Sequence, residues 1–235
     1  MTEQVLEILR GGEITVEGRF ANSSNVTLLT TVTLGDEVIS AVYKPEQGER
    51  PLWDFPGGLW RREVAAWVVS ECVGLKMVPP TVGRHDAPFG PGSLQLFVEE
   101  DEGEHHYFTL REDPETHDAF RRLAAFDVVT NNSDRKSGHV LLADGKLWAI
   151  DHGLCFHDED KLRTVVWDFA GDELDEVTAI GISQIVDSVP DELLELLERP
   201  EIEALRWRAG RLLEEGALPQ PDEDAPWPPY PWPLV

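Results

Sequence analysis

The sequence is poor in cysteine, poor in positive charge and without any long apolar run. Its 235 residues include two cysteines, Cys72 and Cys155. They lie in unrelated segments and in no CxxC pair, which argues against a disulfide framework or a cysteine zinc site. Twenty Lys and Arg stand against 45 Asp and Glu, a formal charge of −25. A surface that acidic repels phosphate backbones and anionic leaflets, so nucleic-acid and membrane-surface binding are not expected. No stretch approaches the ~20 apolar residues of a membrane span. The opening residues, MTEQ, carry no basic stretch followed by an apolar one, and a reducing, cytoplasmic setting is expected. No GxGxxG run and no internal repeat is present.

Hydrophobic residues make up 41% of the chain, enough for a packed core. Residues 3–10 have helical spacing and close on Gly11-Gly12. Three β-rich runs follow, 13–20, 26–34 and 37–43, with Gly35-Asp36 as a tight turn between the last two. Residues 45–59, rich in Pro and Gly, read as an insertion loop. A helix is expected over about 59–74, with strands near 81–84 and 93–99. The polar stretch 100–106 marks a boundary, so residues 1–100 and 101–218 are expected to form two lobes. Asp113-Pro114 starts a helix running to about 130. A loop, 131–138, leads into a hairpin that turns at Asp144-Gly145 and ends at Asp151. Helical patterns return at 173–180, 190–198 and 199–215. The tail, 219–235, is rich in Pro and Trp and cannot be regular helix or central strand.

The segment 127–153 (DVVTNNSDRKSGHVLLADGKLWAIDHG) carries the strongest chemical signal. Asp134 sits in a polar loop after a helix, and Asp151 ends an apolar strand ahead of His152-Gly153. A hairpin between them would bring the two carboxylates side by side. Phosphoryl transfer asks for that pair: one carboxylate to orient the attacking hydroxyl, another to hold a metal bridging the phosphates. In the N-terminal half, Lys44 ends a β-run in AVYKP. A lysine there is costly without an anionic partner. Glu63 in the following helix is the favoured partner, with Glu71 as a competitor and ATP phosphates as the other possibility. The turn Ala21-Asn22-Ser23-Ser24-Asn25 offers backbone N–H groups and hydroxyls that suit phosphate oxygens, and an ordinary hairpin turn explains it equally well.

D-R-K-x-x-H followed by I-D-H-G resembles the D-R-H-x-x-N … I-D-F-G signature of the phosphatidylinositol 3/4-kinase superfamily, a broad group with HipA-like bacterial kinases and secretory-pathway kinases. The resemblance spans roughly residues 13–180. It implies an α+β, two-lobed protein-kinase-like fold with a β-rich N-lobe and a mostly helical C-lobe. It implies that Ser23, Ser24 and Asn25 cover the phosphates, that Lys44 contacts the α/β-phosphates and that Glu63 positions it or the metal. Residues 96–100, with Phe97, Val98 and Glu99, would form the hinge that receives adenine. Asp134 would be the catalytic aspartate and Asp151 the principal Mg2+ or Mn2+ ligand.

Two positions depart from the family pattern. His139 stands where the family has a metal-binding Asn, and imidazole, the softer ligand, suits Mn2+ better than Mg2+. Lys136 replaces the family's His, and its cation can offset charge developing in transfer. Asn131 and Asn132 are candidates to supply the missing amide, or simple caps of the preceding helix. The expected activity is an ATP-dependent kinase acting on a protein hydroxyl, its own included. The alternatives are a nucleotide-binding pseudokinase and a small-molecule kinase with a cationic substrate. Trp53, Trp60, Trp67, Trp148, Trp167 and Trp207 are expected in the core or at the lobe interface. Trp227 and Trp232 either pin the tail to the body or present it to a partner. The run His105-His106 reads as surface polar residues.

Overall fold

A computed structural model describes residues 2–21, 23–103, 106–222, 224 and 227–234. Asn22 of the polar turn and His105 of the His-His run lie outside the described residues.

The chain begins with helix α1 (Thr2–Gly11) and strands β1 (Glu13–Arg19), β2 (Leu28–Leu34) and β3 (Glu37–Pro45). After the insertion loop come helix α2 (Leu59–Cys72) and strands β4 (Thr81–Arg84) and β5 (Gly92–Leu96). All five strands form one antiparallel sheet in the order β1-β2-β3-β5-β4. Leu28, Thr30 and Val32 alternate inward along β2, and Ala41, Tyr43 and Pro45 along β3. That period of two turns Lys44 to the opposite face from Ala41 and Tyr43. Gly92, paired with Pro45, has no room for a side chain: a Cβ there would lie 2.6 Å from the Tyr43 ring.

Helix α2 is buried on nearly every side, as a helix lodged between two layers must be. It packs on β4 and β5 and also against helices α5 (Glu176–Asp187) and α6 (Asp191–Leu196). Its first turn is set by the insertion loop, where the Glu49 carboxylate accepts from the Gly58 and Trp60 amides, both at 2.9 Å. An anion at that end satisfies orphan donors and complements the helix dipole.

The helical part contains α3 (Tyr107–Leu110), α4 (His117–Thr130), α5, α6 and α7 (Arg199–Glu215), with the hairpin β6 (Val140–Ala143) and β7 (Lys146–Ala149) between α4 and α5. Asp144 and Gly145 both have positive φ, 52° and 70°, the backbone of a two-residue turn matched to strand twist. The buried side chains form one continuous cluster running from Leu6 to Leu218. The fold is α+β, an antiparallel-sheet lobe followed by a helical part.

Several expectations need correction. Asp113 caps a 3-10 turn, Pro114–Thr116, rather than α4 itself. Helix α3 follows directly on the polar stretch 100–106, where no element was expected. Trp60 and Trp67 are core residues, but Trp53 is 83% and Trp207 58% exposed. A loop tip and the outer face of α7 hold them, so their size does not bury them. The tail is pinned: Pro229 O accepts from Thr164 N at 3.1 Å and Trp167 Nε1 at 3.0 Å, and Leu234 O accepts from Ser137 N at 2.8 Å. Trp227 lies by the cations of Lys161 and Arg163, while Trp232 stays exposed. Among the described residues no helix is long and apolar enough to cross a membrane.

Candidate active site

Lys44, Glu63, His139 and Asp151, from three separate elements, meet at one point. β3 delivers Lys44, and α2 delivers Glu63 from its second turn. The Lys44 ammonium donates to Glu63 Oε1 and, at 2.8 Å, to Asp151 Oδ1. The other Glu63 oxygen accepts from the His152 amide at 3.0 Å, so Glu63 holds both the lysine and the Asp-His-Gly turn. The favoured partner of Lys44 is the observed one, and Glu71 is not in contact with it.

Asp151 has a left-handed backbone, φ 61°, uncommon for a residue with a Cβ though Asp tolerates it better than most. The turn sends its carboxylate outward, with the side chain 48% exposed. Oδ2 lies 3.2 Å from His139 Nε2. Burial holds His139 down at about 4, against the pull of Asp151, with Arg135 and Lys136 adding to the depression. The imidazole is therefore neutral at physiological pH, and it sits beside the Asp151 carboxylate as a polar neighbour rather than as a cation. Burial opposes charge on Asp151, but Lys44 and then His139 outweigh it and keep the carboxyl well below its usual range. Burial likewise disfavours the Lys44 cation, and Asp151 and Glu63 reverse that and hold it above the ordinary lysine value.

Asp134 stands beside this cluster. Its amide donates to Asn132 Oδ1 at 3.0 Å, and its Oδ2 lies 3.1 Å from Lys136 Nζ. Burial raises its carboxyl; Lys136 works against the rise and the charge of Asp151 adds to it. A carboxylate raised in this way is a stronger proton acceptor than an ordinary one.

Beneath both aspartates lies a buried arginine. Arg135 is fully buried, and donates to Asp127 at 3.0 to 3.1 Å, to His139 O at 3.1 Å and to Ile150 O at 2.9 Å. Its Nη2 also reaches His152 Nε2 at 2.7 Å. Asp127 in turn accepts from Asn132 Nδ2 and Thr164 Oγ1, each at 3.1 Å. One guanidinium thus ties the loop carrying Asp134 to the turn carrying Asp151.

Asn131 and Asn132 are structural. Asn131 ends α4 in the left-handed region, φ 52°, and its amide holds His157 O, Glu159 O and Lys161 N. Ser23 donates to Phe20 O and Asn25 O, and Asn25 Oδ1 accepts from Arg50 N, so both shape their turn. Ser24 is exposed and, among the described residues, has no hydrogen-bond partner. In the expected hinge, 96–100, Phe97 N is committed to Ser40 O at 3.0 Å, while the amides of Val98 and Glu99 have no partner among the described residues. Phe20 stacks near Phe97, ring centroids 6.5 Å apart, an aromatic pairing that its sequence position did not announce.

The chain belongs to the family of Protein Rv2133c. That relative, from Mycobacterium tuberculosis, is 38% identical over 265 aligned positions covering 96% of this chain and 94% of the relative. No family model matches. Among solved structures, the Golgi casein kinase with Mn and ADP bound superposes with a TM-score of 0.57 at 14% identity, over 91% of this chain and 75% of that one. Hydra Fam20 with sugar gives 0.55 at 14%, over 91% and 87%. The Helicobacter pylori proinflammatory kinase CtkA gives 0.51 at 12%, over 89% and 94%. At such identities the likeness concerns the fold, and the fold is that of atypical kinases.

Proposed function

We propose that this chain is an ATP-dependent phosphotransferase of the phosphatidylinositol 3/4-kinase-like group, acting on a protein hydroxyl with a divalent cation. The observation that carries the proposal is the convergence of Lys44, Glu63, Asp151 and His139 beside Asp134. Lys44 is charged and positioned by two carboxylates, ready to exchange Asp151 for a phosphate oxygen. Val98 and Glu99 offer free backbone amides to an adenine, with Phe97 and Phe20 beside them, and Ser24 is free to meet the phosphates.

Among the described residues no three His, Cys, Asp or Glu side chains are grouped as a metal site. Asp151 and His139 form a two-donor set, which fits a cation completed by nucleotide phosphates and water rather than a protein cage. A bound cation there would neutralise charge on the phosphates. The neutral imidazole is competent as a ligand, and nitrogen in the set favours Mn2+ over Mg2+. Asp134 would accept the proton of the attacking hydroxyl, with Lys136 next to the charge that develops.

A second reading, nucleotide binding without turnover, draws on the contacts that occupy both aspartates: Lys136 on Asp134 and His139 on Asp151. The two are separated by measuring thermal shift with ATP and Mn2+ beside transfer of labelled phosphate. Transfer by the native chain that is lost in Asp134→Asn, while the thermal shift survives, is the expected result. A thermal shift without transfer selects the second reading, and neither effect removes both.

A further inference from the structure

One cavity among the described residues lies away from the aspartates. It lies on the far side of the segment 160–167, between α7 and the pinned tail, and has a volume of about 580 Å³. That size is ordinary for a small-molecule site. Trp167, Trp207 and Trp227 furnish indole walls, and Leu212 and Val128 add apolar surface.

Arg208 also lines it and is only 7% exposed. Its Nε donates to Val129 O and its Nη1 to His157 O, both at 3.1 Å. Among the described residues its third nitrogen, Nη2, has no partner. A buried guanidinium N–H without an acceptor is costly. Burial lowers Arg208 to about 10, so it keeps its charge at neutral pH.

The other charges at the rim are already occupied. Lys161 is held by Asp54 at 2.9 Å, and Arg211 and Glu215 pair with each other at 2.8 Å. Asp160 and Asp222 are turned onto backbone amides of their own loops. Among the described residues Arg208 is the one lining cation with a buried donor that meets no acceptor. We propose that this cavity is a binding site for a small planar aromatic acid, its ring between the indoles and its carboxylate accepting from Arg208. Stacking on indole and a charge-assisted hydrogen bond are the two interactions that the walls offer.

The test uses the full chain labelled with 5-fluorotryptophan, its resonances assigned by single Trp→Phe changes, and titrated with 2-naphthoate and the neutral 2-naphthylmethanol. Saturable shifts of the Trp167, Trp207 and Trp227 resonances by 2-naphthoate are expected, with binding at least about tenfold tighter than that of the alcohol. Trp207→Ala, a change at a half-exposed wall, should weaken both probes. Arg208→Met should bring naphthoate down to the alcohol. Should that variant fail to fold, the native acid-to-alcohol ratio and Trp207→Ala still decide. Equal binding of acid and alcohol, shifts confined to Trp53 or Trp232, no saturation at millimolar probe, or indifference to Trp207→Ala would each overturn the proposal.

Discussion

Arg135 Nη2 lies 2.7 Å from His152 Nε2, and this fixes the state of the histidine. A guanidinium has only donors, so Nε2 must accept and the ring proton must sit on Nδ1. Burial first, then Arg135 and Lys44, hold His152 well below its ordinary value. Its Nδ1 has no hydrogen-bond partner among the described residues, and the ring meets Phe126 edge-on at 5.6 Å. The imidazole fills the place after Asp151 as an apolar wedge that also satisfies a buried arginine. Nitrogen-15 spectra should therefore show His152 neutral, with the proton on Nδ1, from pH 5 to 8. A protonated ring or the opposite tautomer would contradict the geometry.

The same cluster predicts acid sensitivity. His139, at about 4 when folded, returns to about 6.5 when unfolded. Between those values the unfolded chain binds one more proton than the native one, so stability falls as pH falls, by about 1.4 kcal/mol per unit. Glu63 and Asp134, raised in the folded state, act in the opposite sense. The difference between native chain and His139→Asn isolates the histidine. It should shrink by about 1.5 kcal/mol from pH 6.5 to 5, measured by urea unfolding at each pH. A difference that stays constant with pH would show that His139 is not depressed.

Arg135 and Asp127 are both wholly buried, so neither tolerates loss of the other. Breaking such a pair costs about 3–5 kcal/mol, whereas removing both members together costs less than the sum. Arg135→Met and Asp127→Leu should each lower the denaturation midpoint sharply, and the double variant should recover part of the loss. Additive losses would mean that the two side chains act independently.

For the chemistry, Asp151→Asn and Lys44→Met should abolish metal-dependent nucleotide binding. Asp134→Asn should leave binding intact and reduce transfer by about 10²–10⁴-fold, the usual scale for a lost general base. His139→Asn replaces nitrogen by an amide oxygen and should move the Mn2+ to Mg2+ activity ratio toward Mg2+. Calorimetric titration with each metal and ATP, beside initial rates, checks these outcomes together.

Much of this arrangement is legible in the sequence because it depends on local signals. The apolar alternation of β2 and β3, Asp144-Gly145 at the hairpin and Gly11-Gly12 at the end of α1 are each sufficient for their element. Lys44 and Glu63 could be paired because one ends a strand and the other lies on the next helix. Asp127 escaped notice although it falls on the buried stripe of α4 with Phe120, Leu123 and Ala124, seven residues after the first. A charge on such a stripe signals a buried partner, and Arg135 is that partner. Trp53 and Trp207 misled because large aromatic residues are commonly, but not necessarily, buried. The Arg208 cavity left no local signal, since its walls come from α4, α7, the 160–167 segment and the tail, and only the folded chain brings them together.

Gly181 tests whether the position of α2 governs the Lys44–Glu63 contact. α5 crosses the end of α2 so closely that a Cβ on Gly181 would lie 2.1 Å from Val73 O. The obstacle is backbone and cannot rotate away. Near the start of α2, Arg62 forms a buried ion pair with Glu201 of α7, so α2 is held toward both ends and cannot simply slide. Gly181→Ala must therefore push α5 and α2 apart, at a cost of about 1–3 kcal/mol for overpacking. Because Glu63 rides on α2 while Lys44 rides on β3, the displacement should also loosen their contact and weaken ATP binding. Gly210→Ala, on α7 where an added Cβ meets nothing, serves as the control: it should leave ATP affinity unchanged and raise stability by about 0.5–1 kcal/mol through helix propensity. If Gly181→Ala lowers stability but leaves ATP affinity at the native value, the orientation of Glu63 is set by the sheet and the Asp-His-Gly turn rather than by the helical layer.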